Sequence, residues 1–482
     1  MSRPHRVLLA CSLLSACAAP VEDPDVESAR EQPAEAVAPA PARSGPPMLP
    51  PLLEEGLARG QAFDILRELC DVAPHRLAGS SGADRAVEWA AACMERLGFD
   101  EVRLEPCTVP RWERGAVEEL VVVKPESHAG ERLPVLALGG SVGTPEGGLE
   151  AEVIAVTSFE ELDSRAEEAR GKLVLFARPM DPAELEPFAA YGGAVTQRSR
   201  GADEASRVGA VGALVRSMTL TLDDEPHTGA LNYAGTVEPV PGAAVSTLAA
   251  ERVTGWLAAG ETVRLRLVLS CRKQDDVPSH NVVGEIRGRE RPDEIVLIGA
   301  HLDAWDIGQG AHDDGAGCAH VIEAGRLLRV AEGSLGRPRR TVRCVLFMNE
   351  ENGLRGAIAY RDAHHDELGH HVLAIESDRG GFLPLGFATD ASGSVLDLLR
   401  ELWGAPESGR GGGADISVLA EFGVPLAGLY PNPQRYFEYH HSRHDVLDAV
   451  GPRELELGAV VLASMAWLAA DHPGDWPRVP TQ

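Results

Sequence analysis

Residues 294–317 read "EIVLIGAHLDAWDIGQGAHDDGAG", and this stretch decides the fold. The apolar run at 294–300 does not alternate with polar residues, which is typical of a strand buried on both faces of a parallel sheet. Polar residues and glycines follow it, and a helix is predicted over 315–331. A strand, a polar loop and a helix in this order form a βα unit, and ligands gather at the carboxyl end of such strands.

The same pattern continues on both sides of this stretch. Further strands are predicted at "NVVGEI" (281–286), "TVRCVLFM" (341–348) and "HVLAIES" (371–377), with another helix near 354–367. We therefore predict an α/β fold with a mostly parallel central sheet covered by helices. Helical spacing of apolar residues also appears near the amino terminus, at 52–70 and 83–97.

The middle of the chain has a different pattern of apolar residues. Short β-branched runs such as "LVVV" (120–123) and "KLVLFA" (172–177) alternate with helical patterns at 158–169 and 202–216. Clusters of histidine with acidic residues are missing from this part of the sequence. We predict a smaller inserted α/β module at 118–262 without chemistry of its own, which divides the main domain into residues 52–117 and 263–475.

The charge of the chain excludes some classes of partner. The 482 residues carry a formal net charge of −28. Phosphate groups would be repelled, so we expect neither nucleic acid nor an anionic lipid surface as a direct partner.

The first residues have the pattern of an export signal. "MSRPHR" is basic, "VLLACSLLSA" (7–16) is apolar, and Cys17 follows. Ten apolar residues are too few to span a bilayer, so we predict a signal peptide at 1–17. Leu-Ser-Ala-Cys resembles the lipobox of bacterial lipoproteins, which implies a lipid anchor at Cys17 in the cell envelope; plain secretion is the alternative. The Pro/Ala/Glu-rich residues 18–51 are predicted to be a disordered linker.

The remaining cysteines do not form a metal-binding pattern. None of them are spaced as CxxC, so a cysteine zinc site is not expected. Cys318 and Cys344 lie in apolar stretches and are expected to be core residues. The sequence does not decide whether disulfides form among the other four cysteines, Cys70, Cys93, Cys107 and Cys271.

Ligand-type side chains follow several of the predicted strands: His301 and Asp303, then Glu350 and Glu351, then Asp378, and finally the cluster "YHHSRHD" (439–445). Because the carboxyl ends of parallel strands meet at one edge of a sheet, these groups should lie close together. The adjacent acids Asp313 and Asp314 would repel each other unless a cation lies beside them, although a solvated acidic turn is the simpler alternative.

A two-metal hydrolytic site accounts for these groups together. Two Zn²⁺ ions need nitrogen and oxygen ligands, one bridging group and a water. Two imidazoles and three carboxylates fill this requirement: His301, Asp313, Glu351, Asp378 and His441. Asp313 suits the bridge, because a short carboxylate can offer one oxygen to each ion.

Two more acids have predicted roles beside these ligands. Glu350 is predicted to be the general base that takes a proton from water and passes it to the leaving amine. The carboxylate of Asp303, two residues after His301 in an extended segment, is predicted to hold the other ring nitrogen of that histidine. Asp314 is expected to shape its loop as a hydrogen-bond acceptor. Asp415 is a second-rank candidate for the site.

Four phrases together carry a family resemblance: "HLDAWDIGQGAHDDGAG", "NEENGLRGA", "ESDRGG" and "YHHSRHD". They resemble the co-catalytic zinc peptidases of family M28, in particular the carboxypeptidase Q (plasma glutamate carboxypeptidase) branch. The segment 74–99 is also similar to the opening of that family. The resemblance implies a protease-associated-type insert at 118–262 and Glu350 as the base. It also implies one zinc on His301 and Asp378 and the other on Glu351 and His441.

The family pattern also selects among the histidines of the last cluster. His440, His441 and His444 compete by residue type, and the family ligand lies four residues before an aspartate, here Asp445. This choice gives His441, although Val446 stands where the family has threonine. The other histidines are expected to be surface or capping residues, namely His312, His320, His364, His365, His370 and His371. Trp305 and Asp306 are expected to shape the loop after His301.

The predicted function is that of an exported metallopeptidase acting on dipeptides or on the ends of short peptides. Two alternatives are a glutaminyl-cyclase-like enzyme with a single zinc and a non-catalytic binding ectodomain on the same fold. The sequence does not decide between amino- and carboxy-terminal specificity, because Arg355, Arg379 and Arg443 near the motifs cannot be placed. A homodimer is left open.

Overall fold

The computed structural model describes residues 46–407 and 411–479, all of which lie in one unit, Ser44–Gln482. The predicted signal peptide, Cys17 and most of the predicted linker lie outside the described residues. In chain order the strands are β1 (Glu101–Glu113), β2 (Glu118–Lys124), β3 (Arg132–Leu133), β4 (Val135–Ala137), β5 (Leu149–Val156), β6 (Leu173–Phe176), β7 (Gly212–Arg216), β8 (Gly242–Val245), β9 (Arg264–Leu269), β10 (Arg272–Ile286), β11 (Arg291–His301), β12 (Arg340–Phe347), β13 (His371–Glu376), β14 (Pro384–Ala388) and β15 (Leu426–Pro431).

Helices pack against these strands or connect them. They are α1 (Pro50–Arg59), α2 (Ala62–Val72), α3 (Ser81–Arg96), α4 (Phe159–Ser164), α5 (Ala166–Ala169), α6 (Pro187–Ala194), α7 (Thr196–Arg207), α8 (Thr247–Ala258), α9 (Ala316–Val330), α10 (Glu332–Leu335), α11 (Arg355–Ala363), α12 (Gly393–Trp403), α13 (Tyr436–Tyr439) and α14 (Pro452–Asp471). Along this described part of the chain, no helix combines the length and the apolar character needed to cross a bilayer.

The first sheet has the strand order β1-β10-β12-β11-β13-β15-β14. Its four central strands, β12, β11, β13 and β15, run parallel to one another, which confirms the predicted α/β class and its parallel centre. Antiparallel strands flank this centre, with β10 and β1 on one side and β14 on the other. The apolar runs indicate burial on both faces, but they do not show the direction of a neighbouring strand, so these antiparallel edges were not predicted.

Helices cover both faces of the first sheet. Val296 and Ile298 of β11 pack into the larger core with α9 and α14, while Leu297 between them packs into a smaller core with α11. This alternation explains the unbroken apolar run of β11, because successive side chains point to opposite faces and both faces are buried.

A second sheet lies in the middle of the chain, in the order β3-β2-β9-β5-β6-β7-β8-β4. Strands β5, β6, β7 and β8 run parallel, and the remaining pairs are antiparallel. We refer to Glu118–Leu269 as the second lobe. Beside its connection to the rest of the chain, the buried side chain of Arg114 pairs with Asp306 in the loop after β11, with Nη2 and Oδ1 2.6 Å apart.

Two predicted elements differ from the structure. The helix expected at 202–216 ends at Arg207, and residues 212–216 form β7. Gly209, with a φ of +80°, has the left-handed conformation that ends helices, and this stop outweighs the helical spacing beyond it. The expected helix at 52–70 is two helices, α1 and α2, which are separated by Gly60 and Gln61.

The cysteines of the described residues are all buried and unpaired. Cys318 and Cys344 lie in the larger core, as predicted. The disulfides that the sequence left open do not form, since Cys70, Cys93, Cys107 and Cys271 are free thiols.

Candidate metal centre

The proposed metal ligands lie at the carboxyl edge of the first sheet. His301 is the last residue of β11, Glu351 follows β12, and Asp378 follows β13. Asp313 lies in the irregular turn before α9, and His441 follows α13. The sheet thus brings together residues that are up to 140 positions apart in the sequence.

Asp313 lies between two groups of potential ligands. Its Oδ1 is 3.2 Å from His301 Nε2, which is itself 3.6 Å from Asp378 Oδ1. Its Oδ2 is 3.2 Å from His441 Nε2, which is 3.0 Å from Glu351 Oε2. Each oxygen of one carboxylate therefore faces a different histidine.

The turn that leads into Asp313 requires glycine at position 310. Gly310 has a φ of +57°, and a Cβ atom there would lie 2.3 Å from the Cβ of Ala304. Asp314, joined to Asp313 by a cis peptide bond, accepts hydrogen bonds from the main-chain N–H groups of His301 (3.2 Å) and Gly317 (2.9 Å). Asp314 is thus the loop-shaping acceptor that the sequence suggested.

Asp445 holds the backbone of Asp313 in place. Its carboxylate accepts hydrogen bonds from the N–H groups of His312 (2.6 Å) and Asp313 (3.1 Å). In the sequence this aspartate served only as a marker for His441. The spacing of the motif could have suggested a role, but nothing in it pointed to the main chain of a distant loop.

Asp303 differs from its predicted contact. The nearest acceptor to His301 Nδ1 is the main-chain carbonyl of Asp303 at 3.0 Å, while the carboxylate Oδ1 is 3.9 Å away. The carboxylate instead accepts hydrogen bonds from the N–H groups of Asn349 (2.7 Å) and Glu350 (3.1 Å). It therefore orients the loop that carries Glu350, because two donors from that loop converge on one oxygen.

The geometry favours His441 over its neighbours. His440 Nε2 is 3.8 Å from Asp313 Oδ2, and its ring stacks on that of His441 with centroids 3.5 Å apart. His444 is exposed. His441 also has a left-handed φ of +59°. Asn349 (+76°) and Leu354 (+59°), on either side of the paired glutamates, are left-handed as well. In the described part of the chain, these are the non-glycine residues with such angles, and this kind of backbone strain concentrates at functional sites.

The electrostatics of the centre fit a bound cation. Burial raises the pKa of Glu350 well above its usual range, and the carboxylates of Asp378 and Glu351 raise it further against the effect of His301. Burial also raises the pKa of Glu351 to about 7, although His441 opposes the shift. Oδ2 of Asp313 is buried and receives no well-aligned hydrogen bond from the described residues. A divalent ion would stabilise these crowded carboxylates in their charged form.

Asp415, the second-rank candidate, is a buried residue that interacts electrostatically with Glu376 and Glu350. Both of its carboxylate oxygens are buried and lack a hydrogen-bond partner among the described residues. Burial raises its pKa well above the usual range, and Glu376 and Glu350 add to the shift. Its own N–H donates to Glu376 Oε1 at 3.3 Å. The side chain belongs to the carboxylate-rich interior of the centre.

A cavity of about 220 Å³ opens onto the centre. Asp313, Glu350, Glu351 and Asp378 line it, and the second lobe contributes Phe188, Tyr191 and Arg198 to the lining. The side chain of Arg198 lies over the ring of Tyr191, and its Nη1 is 3.4 Å from His441 Nδ1. The second lobe therefore supplies polar groups to the centre, which corrects the prediction of a module without chemistry. Arg198 was missed because no motif surrounds it.

Three of the histidines expected at the surface are fully buried: His312, His320 and His371. The ring of His312 stacks against those of Phe382 and Tyr439, and His320 Nδ1 lies 2.9 Å from Ser377 Oγ. They are core histidines that pair locally. His365 and His370 are exposed as expected. Trp305 and Asp306 do shape the loop. The main-chain N–H of Trp305 donates to Glu351 Oε1 (3.2 Å), and Asp306 pairs with Arg114.

Known proteins resemble this chain over most of its length. Residues 281–465 match Peptidase family M28. Carboxypeptidase Q from Homo sapiens is 36% identical over 431 residues, which is 88% of each chain. Carboxypeptidase Q from Xenopus laevis is 35% identical over 435 residues, 89% of each chain.

Solved structures give the same result. A peptidase M28 precursor from Shewanella amazonensis superposes with a TM-score of 0.83 at 34% identity, covering 89% of this chain and 98% of that one. A zinc aminopeptidase from Bacillus subtilis shares the fold at 19% identity, with a TM-score of 0.61 over 85% of this chain and 97% of that one. The identity of 36% over 88% of each chain, together with the match at residues 281–465, shows that the protein belongs to peptidase family M28 and is a zinc metallopeptidase.

Proposed function

We propose that the enzyme is a di-zinc exopeptidase that hydrolyses dipeptides or removes terminal residues from short peptides. The observation that carries the proposal is the position of Asp313, whose two oxygens face His301 and His441 separately. One ion would be held by His301, Asp378 and Asp313, and the other by Glu351, His441 and Asp313. Histidine nitrogens and carboxylate oxygens are the donors that zinc accepts in hydrolytic sites.

The residues of the chain divide the chemistry between them. When bound, the two ions would polarise the scissile carbonyl and acidify a water molecule. Glu350 lines the cavity and acts as the general base that removes the proton from the attacking water and returns it to the leaving amine. Asp303 keeps Glu350 in place through the backbone.

Arg198 supports specificity for a free carboxylate. Arg198 is buried, lines the same cavity as Glu350, and leaves Nε without a hydrogen-bond partner among the described residues. A guanidinium binds a carboxylate through paired hydrogen bonds. We therefore assign Arg198 to the carboxyl end of the substrate, which makes the enzyme a carboxypeptidase or a dipeptidase.

The cavity supports a short substrate. Its volume of about 220 Å³ is below the roughly 300–1,000 Å³ of ordinary ligand pockets. The rings of Phe188, Tyr191, Tyr436 and Phe437 form one wall of it, with Phe188 and Tyr436 stacked at 5.1 Å. This wall gives an apolar surface for the side chain of a dipeptide.

Metal content and a set of blocked peptides test the proposal. We expect two zinc ions per chain by elemental analysis, loss of activity on chelation and recovery with Zn²⁺. Amidation of the substrate's carboxyl terminus should lower kcat/KM by about 10- to 100-fold, since a charged hydrogen bond contributes about 1.5–3 kcal/mol. Arg198→Met should lower activity on the free peptide to a similar degree and abolish this difference.

Arg200→Met is the matched control, because Arg200 is an exposed residue of the same helix. It should leave the effect of amidation unchanged. One zinc per fully active chain would contradict the dinuclear site and favour a cyclase-like enzyme. Tight peptide binding without turnover would indicate a binding protein instead. If blocking the peptide's amino terminus lowers kcat/KM more than blocking its carboxyl terminus, the role of Arg198 would be contradicted.

We further propose that the enzyme is exported and tethered by a lipid on Cys17, with plain secretion as the alternative. The basic and apolar residues before Cys17 support this, as does the Pro/Ala/Glu-rich stretch after it. We also propose that the chain is divided into a main domain at 52–117 and 263–475 and an insert at 118–262. The second lobe supports this division, although its last strand, β9 (Arg264–Leu269), lies just beyond the proposed end of the insert.

A further inference from the structure

The loop between His301 and Asp313 is fastened at both ends by one side chain from a distant part of the sequence. Arg76 lies in the turn between α2 and α3, and its side chain is fully buried. Its Nε donates to the carbonyl of Leu302 at 2.7 Å. Its Nη1 and Nη2 donate to the carbonyls of Gln309 (2.6 Å) and Gly310 (2.7 Å).

These three acceptors come from opposite ends of the loop. Leu302 directly follows His301, while Gln309 and Gly310 come shortly before Asp313. Because a guanidinium is rigid and planar, its three bonds fix the distance between the two ends of the loop. The carboxylate of Asp445 then holds the N–H groups of His312 and Asp313, so the segment is fixed from both sides.

The contact is specific for arginine. The three hydrogen bonds of Arg76 all go to main-chain carbonyls. Its charge also acts on the nearby carboxylate of Asp445, where burial raises the pKa and Arg76 opposes the shift. The surrounding backbone is fitted to it, since a Cβ atom on Gly310 would come within 3.0 Å of Nη1. A lysine would keep the charge but could not reach all three carbonyls, because it carries its donors on a single nitrogen.

We infer that Arg76 is a positioning residue for the metal centre, which sets the separation of His301 and Asp313 and thereby the affinity for zinc. This inference rests on the proposed dinuclear site. Metal ligands must be held within about 0.5 Å of their working positions. The hydrogen bonds of Arg76 to the loop supply that restraint from outside the ligand set.

The variant Arg76→Lys tests this directly. We expect a folded protein whose zinc affinity, measured by competition with a chelator, is weaker by about 10- to 100-fold. Excess zinc should restore most of its activity, which a general loss of structure would not permit. The control Arg85→Lys, at an exposed arginine of α3 that also bonds a carbonyl, should keep wild-type affinity.

The outcomes separate this inference from the proposed function. Wild-type protein that binds two zinc ions while Arg76→Lys binds them equally tightly would overturn the role of Arg76 alone. Wild-type protein with fewer than two ions would overturn the dinuclear site itself. If Arg76→Lys does not fold, Arg76→Gln is the second variant, because it keeps an amide donor for the loop and buries no charge. Unchanged zinc affinity in that variant would also overturn the inference.

Discussion

Glu350 and Glu351 are neighbours in the chain, yet their side chains have different partners. Glu351 Oε1 accepts a hydrogen bond from the N–H of Trp305, and Oε2 faces His441. Glu350 lines the cavity, and its backbone is held by Asp303. One carboxylate is fixed against His441 while the other lines the cavity, so substitutions of the two glutamates should have different effects.

We expect Glu350→Gln to lose about 10²–10⁴-fold in kcat while keeping both zinc ions, because only the proton acceptor is removed. Glu351→Gln should lose metal as well as rate, since it weakens a ligand. Elemental analysis alongside kinetics makes the comparison, and each variant is the control for the other. Equal zinc loss in both, or near-normal turnover in Glu350→Gln with its metal intact, would mean that the base is a different residue.

At the scale of elements, a histidine with two acidic partners joins the end of α11 to β1. His364 Nε2 lies 2.9 Å from Glu105 Oε1 on β1, and Nδ1 lies 2.5 Å from Glu367 Oε1 in the following turn. Both ring nitrogens can donate only when the imidazole is protonated. Burial lowers the pKa of His364, but its hydrogen bonds to Glu105 and Glu367 outweigh burial and raise the pKa above 6.5.

Other charged groups surround this histidine. Arg343 of β12 approaches Nδ1 at 3.4 Å and also pairs with Glu367 and Glu285. Arg103 pairs with Glu105, and the rings of Tyr360 and His371 lie 4.2 Å and 6.5 Å from that of His364. The acids dominate at the ring nitrogens themselves, because both face carboxylate oxygens.

This contact should make stability depend on pH. A pKa that is higher in the folded state gives a contribution that is complete below the unfolded pKa and is lost as the pH rises through the folded pKa. We expect His364→Gln to lower the free energy of unfolding by about 1–3 kcal/mol at pH 5.5 and by clearly less at pH 9. Denaturant unfolding at both pH values measures this, with His365→Gln, an exposed neighbour, as control. The same loss at both pH values would contradict a protonated His364.

The elements also show what sequence can and cannot predict. Strands β11, β12 and β13 were readable because burial on both faces leaves unbroken apolar runs, and their polar ends then located the site. The strand at 212–216 was not, because "GALV" fits a helix until the backbone angle of Gly209 is known. The roles of Arg198 and Arg76 could not be predicted for a related reason. They depend on which segments meet in space, and the sequence around a single arginine does not show that.

For the whole molecule, attachment and catalysis should be separable. Both sheets and the metal centre lie within the described residues, which belong to the unit Ser44–Gln482. We expect a chain that begins at Ser44 to fold and to keep its kcat/KM. In the full chain, Cys17→Ser should release the protein from the membrane fraction without changing its specific activity.

Fractionation and mass spectrometry of the mature amino terminus make this measurement. A wild-type amino terminus that carries no lipid would refute the anchor and leave secretion. Loss of activity on truncation would mean that residues before Ser44 contribute to the folded enzyme.

The position of Arg198 on helix α7 has a consequence for how such an enzyme can change over time. The groups proposed to cleave the bond are encoded downstream of β10, whereas the group proposed to recognise the substrate's carboxylate is encoded in the second lobe. Mutations that alter which peptides are accepted can therefore accumulate in one stretch of the gene while the hydrolytic residues stay constant in another. An enzyme in which the second lobe is exchanged would therefore keep the hydrolytic reaction and gain a different substrate specificity.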